Sequence, residues 1–415
     1  MKTFLGVTGL FLVALFVVTT FIPYPTARQQ ALEAGFDEAM IDQNFQYAFE
    51  RRISFWISTS SEFALLVFLA MSGVARRWAE WLLVRCKQNR YVAALGLGLA
   101  YLLLHELLYL PIGIWRWCHS CEWGMSNLTF ASWLREHYVA LGVTLVGQSV
   151  LVVGFYALLA RLPRSWWLWG AVGASVLGVA YAFLSPIFID PLFNTFTPLA
   201  ETKFHRHEAR VRALIESAKM PVGDILVIDA SRQSNHSNAY FTGFGSSRRI
   251  VLYDTLLRKH TDAEIESILA HELGHWRHDH IVKGILLATL AAIFGLCVLD
   301  QLLRAAIGRE PWGIKSLGDP AGLYLVLLIA YLGSWIEMPI QNFVSRHFER
   351  QADQVSLKLA GQPEAFISGE RVLAATNKSN VTPTPWNVWL FSSHPTTVER
   401  IRMAKEWREA QKPPP

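Results

Sequence analysis

The sequence predicts a mainly α-helical membrane protein, seven transmembrane helices with a small α+β domain set between and after them. Three observations predict it. The 415 residues are 52% hydrophobic and only 17% charged, with a mean hydropathy of +0.26, too apolar for an ordinary soluble chain. Seven apolar runs, roughly 3–22, 55–75, 92–115, 138–160, 166–188, 282–305 and 320–341, reach the length of about 20 residues that a span needs. Between the fifth and sixth runs stands His271-Glu272-Leu273-Gly274-His275, an H-E-x-x-H motif.

The first run is too long for the apolar core of a signal peptide and lacks an A-x-A cleavage site, so it is expected to stay as a helix. The runs divide the chain into residues 1–188 with five spans, 189–280 as the first half of a protease domain, 281–341 as a transmembrane hairpin, and 342–415 as the second half. In the first polar stretch, a helical pattern covers Glu201–Met220. Strands are expected at Asp224–Asp229, Asn238–Phe244 and Arg249–Tyr253, with Gly245-Ser246-Ser247 as a hairpin turn. The tail reads as helices. A net charge of +5 is spread along the chain without a basic stripe, which argues against nucleic acid as a partner.

Thr261 and Glu264 form a T-x-x-E capping box, and Ile265, Ile268 and Leu269 continue an apolar helical period into the motif. The helix is expected to run on into the sixth span. Residues four apart share a helix face, so His271 and His275 can meet one Zn²⁺, with Glu272 placed to take a proton from water activated by the ion. His105-Glu106-Leu107-Leu108-Tyr109 begins the same way but lacks the second histidine. His278 lies one turn beyond the pair and, with His280, reads as surface or as support for a ligand.

A catalytic zinc needs a third protein ligand. Glu349 follows His275 by 349 − 275 = 74 residues, nearly all taken up by the last two spans. That hairpin leaves and re-enters the same membrane face, so it can return Glu349 to the motif. Asp353, four residues on, could then orient a ligand histidine. Spacing alone leaves open a solvated acidic face, with Arg346 and Arg350 as the partners of Glu349 and Asp353.

Several blocks resemble the CAAX prenyl endopeptidases, integral-membrane zinc metalloproteases. They are Pro191-Leu192-Phe193-Asn194, Phe196-Thr197-Pro198-Leu199, His236 to Phe241, Gly243-Phe244, Arg249 to Leu257, the zinc motif with Trp276, Ser345 to Asp353, Ser393-His394-Pro395 and Glu399-Arg400. The resemblance implies a gluzincin-type domain with one Zn²⁺ per chain, held by His271, His275 and Glu349, with Asp353 and Arg400 behind them. It implies that Glu272 and His394 are catalytic and that Asn238, Ala239 and Tyr240 form an edge strand that pairs with an extended peptide, a role edge addition suits. It also implies a water-filled intramembrane chamber, which Glu62, His105, Glu106, Gln148, Asp300 and Glu337 could line; helix-to-helix hydrogen bonding, or a place at the membrane interface, is the other reading of these residues.

The expected substrate is a peptide or protein, lipidated if the resemblance extends that far, and the expected setting is a bacterial inner membrane. Basic loops at 75–90, 161–165 and 304–319 fall on one side, which the positive-inside rule makes cytoplasmic, leaving the protease halves outside. Eukaryotic members of the family have the opposite arrangement. Cys118 and Cys121 then share an external loop, where a disulfide is chemically open to them. A broad-specificity quality-control protease of the membrane is a second reading. A non-enzymatic scaffold or transporter is a distant third.

Overall fold

The computed structural model describes residues 2–22, 24–220, 223–242 and 249–412. The helices in order are α1 (Lys2–Thr20), α2 (Pro25–Glu33), α3 (Glu38–Met71), α4 (Val74–Arg85), α5 (Arg90–Glu122), α6 (Phe130–Arg161), α7 (Trp166–Leu184), α8 (Glu208–Ser217), α9 (Asp254–Lys259), α10 (Asp262–Arg277), α11 (His280–Ala306), α12 (Leu323–Ala360), α13 (Pro363–Thr376), α14 (Pro385–Phe391) and α15 (Thr397–Ala410). Among the described residues, seven helical segments are long and apolar enough to cross a membrane. Their outward faces would be ruinous in water: Leu286, Leu290 and Phe294 on α11 are 60%, 63% and 74% exposed. Lipid tails are the medium in which such a surface is stable.

Inside the bundle, polar side chains bond from helix to helix. Gln148 donates to the Gly98 carbonyl at 2.7 Å, Glu106 meets His137 at 2.6 Å, and Trp166 donates to Asp300 at 2.5 Å. Glu62 takes the Tyr101 hydroxyl and lies 3.7 Å from His105. The His105-Glu106 pair is thus spent on structure. Among the described residues all four cysteines are free, Cys118 and Cys121 included, both on α5.

A four-stranded sheet of order β1-β2-β4-β3 sits outside the bundle. It comprises β1 (Phe196–Pro198), β2 (Asp224–Ile228), β3 (Ala239–Thr242) and β4 (Arg249–Tyr253). β2 and β4 run parallel, while β1 and β3 flank them antiparallel. One face packs Ile225, Val227, Ile250 and Leu252 against Leu256, Ile265 and Leu269. Truncating any one of these leucines would cost about 2–5 kcal/mol. The expected turn at Gly245-Ser246-Ser247 lies outside the described residues. The helical pattern over Glu201–Met220 resolves into two short 3-10 turns followed by α8. A separate core joins Ala31, Phe36 and Ile41 of the N-terminal segment to Ile367, Ile401 and Ala404 of the tail.

Two helices bring the polar halves together. α10 begins at the expected capping box, with both reciprocal bonds formed. It does not run on into the sixth span. The chain breaks at Asp279, whose φ is +52°, and α11 starts afresh at His280. Aspartate tolerates this left-handed region better than most residues, and the break turns His280 back toward the motif. α12 runs unbroken from the seventh span into the Ser345–Asp353 block and packs along α10.

Candidate active site

Gly274 sets how closely these helices approach. A methyl group there would lie 2.7 Å from the Ala352 α-carbon and 2.9 Å from its carbonyl oxygen, so the small residue inside the motif is what lets the two backbones touch. Ser356 ties the contact by donating to the Ser267 carbonyl at 2.7 Å. At this spacing His271, His275 and Glu349 offer ligand atoms within 4.8 Å of one another. His271 Nε2 lies 3.2 Å from Glu349 Oε2, His275 Nε2 lies 3.4 Å from Glu349 Oε1, and the two Nε2 atoms are 3.1 Å apart. Glu349 is buried, and its Oε2 has no hydrogen-bond partner. Two imidazole nitrogens and an unsatisfied carboxylate oxygen aimed at one point suit a divalent cation, and the set of two nitrogens and one oxygen leaves a coordination position open.

Both rings are oriented from behind. His271 Nδ1 donates to Asp353 Oδ1 at 2.7 Å, and Asp353 is fully buried. His275 Nδ1 donates to His280 Nδ1 at 2.9 Å, whose Nε2 in turn donates to Gln351 Oε1 at 2.9 Å. Each ligand ring therefore presents Nε2 to the centre. Arg400 Nε donates to Asp353 Oδ2 at 2.9 Å, and its Nη1 reaches Glu370 Oε1 at 2.6 Å. Burial keeps Glu370 above the ordinary carboxylate range despite that arginine. Arg346 and Arg350 do not partner the acids of their own helix. Arg346 donates to the carbonyls of Val388 and Ser392 at 2.8 and 2.6 Å, and Arg350 to Glu399 at 2.8 Å. Arg346 thereby anchors the loop carrying His394, which is 59% exposed with its Nε2 3.4 Å from Glu349 Oε2.

The site polarises its own titratable groups. Burial works against a charged His271, but the Asp353 hydrogen bond and charge outweigh it and push the ring up to about 10. A proton on its Nε2 and a metal ion compete for one lone pair. Burial and the neighbouring His271 charge push His275 down to about 4. Glu272, half-buried beside them, is pushed up to about 7, chiefly by its enclosure, which puts a carboxyl close to the pH at which a general base works best.

A cavity of about 170 Å³ opens over these groups, with Ser237, Asn238 and Ala239 on one wall and His271, Glu272 and His394 on another. β3 is the sheet edge, its outer side unpaired among the described residues. Asn377 holds the entry to that strand, accepting from Ser237 N at 2.9 Å and donating to its carbonyl at 3.2 Å. Asn238 and Ala239 line the cavity; Tyr240 packs instead edge-on against Tyr253 of β4. Sequence reasoning passed over Glu370, Asn377 and Gln351; of the two readings of His280, surface or support for a ligand, the second matches its contact with His275. Each is a single polar residue on an amphipathic segment, without a spacing signal.

Spans, sheet and site together define a membrane-embedded metallopeptidase. The family model for peptidase family M48 matches residues 201–408, and the model described as the CAAX prenyl protease N-terminal region, five membrane helices, matches residues 24–195. The chain belongs to peptidase family M48. It is 30% identical over 368 residues to the uncharacterized metalloprotease YhfN of Bacillus subtilis, covering 88% of this chain and 85% of the relative. It is 28% identical to CAAX prenyl protease 1 of Saccharomyces cerevisiae, over 68% and 64% of the two chains. The crystal structure of S. mikatae Ste24p superposes with a TM-score of 0.78 at 26% identity, covering 96% of each chain.

Proposed function

We propose that this protein is a zinc endopeptidase that cleaves extended peptides at the membrane surface, with residues 189–280 and 342–415 forming the two halves of its peptidase unit. The observation that carries this reading is the convergence of His271, His275 and Glu349, from two helices, beside Glu272. These three residues would hold one Zn²⁺ per chain, and the ion when bound acidifies a water and polarises the scissile carbonyl.

The chain's own residues do the rest. Asp353 and His280 hold the ligand rings in the tautomer that exposes Nε2. Glu272 takes a proton from the attacking water and passes it to the leaving amine. His394, at the open side of the cavity, donates toward the oxyanion as it develops. The β3 edge at Asn238 and Ala239 pairs with the substrate backbone, which presents the peptide bond extended. Glu272 acts on water, so no acyl-enzyme forms.

The finer proposal is a lipidated, CAAX-type peptide as substrate and a bacterial inner membrane as setting, supported by the likeness to CAAX prenyl protease 1 and to YhfN. Purified protein given matched prenylated and unmodified peptides, with products identified by mass spectrometry, tests it. Preferential cleavage of the prenylated peptide supports the CAAX reading. Equal cleavage of both supports broad quality-control proteolysis instead. Cleavage that survives chelation would refute metal dependence.

A further inference from the structure

A vestibule of about 880 Å³ shares His394, Arg400 and Glu370 with the space over the metal ligands. Its far wall is α3, which contributes Arg51, Arg52 and Phe55. The charge of that wall is uncompensated. Glu370 is already engaged by Arg400 at 2.6 Å. Among the described residues Arg51 Nη1 donates only to the Tyr47 hydroxyl, at 3.3 Å, with its guanidinium 5.5 Å from the centre of that ring. Arg52 Nη1 donates to the Thr19 carbonyl at 2.8 Å. A third arginine, Arg116, is spent on Ser54 and Ser58 of the same helix, at 3.1 and 2.8 Å. Arg51, Arg52 and Arg116 form no ion pair with a carboxylate among the described residues.

Guanidinium groups held at a cavity wall without a counter-ion make the space selective for an anion, and a carboxylate fits the guanidinium fork in two parallel hydrogen bonds. A peptide laid along β3 would pass His271 and Glu272 and then meet His394 and Arg400, which line both spaces. Its onward end would then enter the vestibule. We infer that Arg51 and Arg52 bind a carboxylate of the peptide, and so select substrates carrying one on the vestibule side of the scissile bond. This inference deepens the endopeptidase reading and rests on it for the substrate, but its test measures binding.

The test uses the full chain carrying Glu272→Gln, in nanodiscs, with fluorescent peptides followed by anisotropy. One peptide ends in a free carboxylate, one in an amide, and one is an amide with glutamate as its last residue. Free-acid peptide is expected to bind about tenfold more tightly than plain amide, the scale of one charge-assisted hydrogen-bonded pair. Equal tightness for the glutamate amide would identify a side-chain carboxylate as sufficient; weak binding of it would assign the chain terminus. Adding Arg51→Gln and Arg52→Gln should bring the free-acid-to-amide ratio near one, and Arg51→Lys with Arg52→Lys should keep most of it. Equal binding of all three peptides, or a ratio that survives the double glutamine variant, would overturn the inference. Loss of cleavage by the wild type with the binding ratio intact would instead count against the endopeptidase reading.

Discussion

Gly274 and Ala352 meet backbone to backbone: a β-carbon on the glycine would stand 2.7 Å from the Ala352 α-carbon. This contact between α10 and α12 fixes the distance between the histidine pair and Glu349. Gly274→Ala should therefore push the helices apart, costing about 1–3 kcal/mol of stability as overpacking does. Displacing a ligand by a fraction of an ångström should cost more in chemistry, about 100-fold in kcat/KM. Thermal melts and peptide cleavage on the same preparation check both effects. A variant with full activity would show that the close approach is incidental.

Asp353 touches His271 only at Nδ1, on the side away from the centre. Asp353→Asn keeps the shape but loses the charge that holds the ring and Arg400. Zinc affinity should fall about 10–100-fold, the usual effect of losing a carboxylate behind a ligand histidine. Competition with a fluorescent chelator reads this directly. Arg400→Lys, which keeps a cation beside Asp353, should fall less.

The carboxyl of Glu272, pushed up to about 7 by enclosure, must be ionised to accept a proton. Cleavage should fall as pH drops through its pKa, by about tenfold per unit well below it. A bound dication favours the carboxylate, so the midpoint in loaded protein should lie at or below about 7. Zinc affinity should weaken in the same direction, because a proton on His271 competes with the ion. A pH profile of kcat/KM at saturating zinc separates the two effects. A rate that climbs on acidification would contradict the base role.

Local signals made the ligand helix legible in the sequence. The capping box, the four-residue histidine spacing and the apolar runs all act within about one helix, where periodicity is strong. Hairpin geometry allowed the return of Glu349 without requiring it, and the resemblance supplied its expected role. Other features carried no such signal. β1 spans only Phe196–Pro198 and contains a proline, so no strand pattern could emerge from it. The break at Asp279 has neither glycine nor proline to mark it, and it decides between the two readings of His280, making it the support of His275. Glu370 gains meaning only from Arg400, thirty residues later, once α13 and α15 pack together.

The most direct measurement pairs metal content with cleavage on the same samples, wild type and Glu272→Gln, by elemental analysis and mass spectrometry of a peptide digest. The account predicts about one zinc per chain in both proteins and cleavage in the wild type alone. Cleavage by the glutamine variant at near wild-type rate, or a wild type that cleaves without any bound metal, would contradict it.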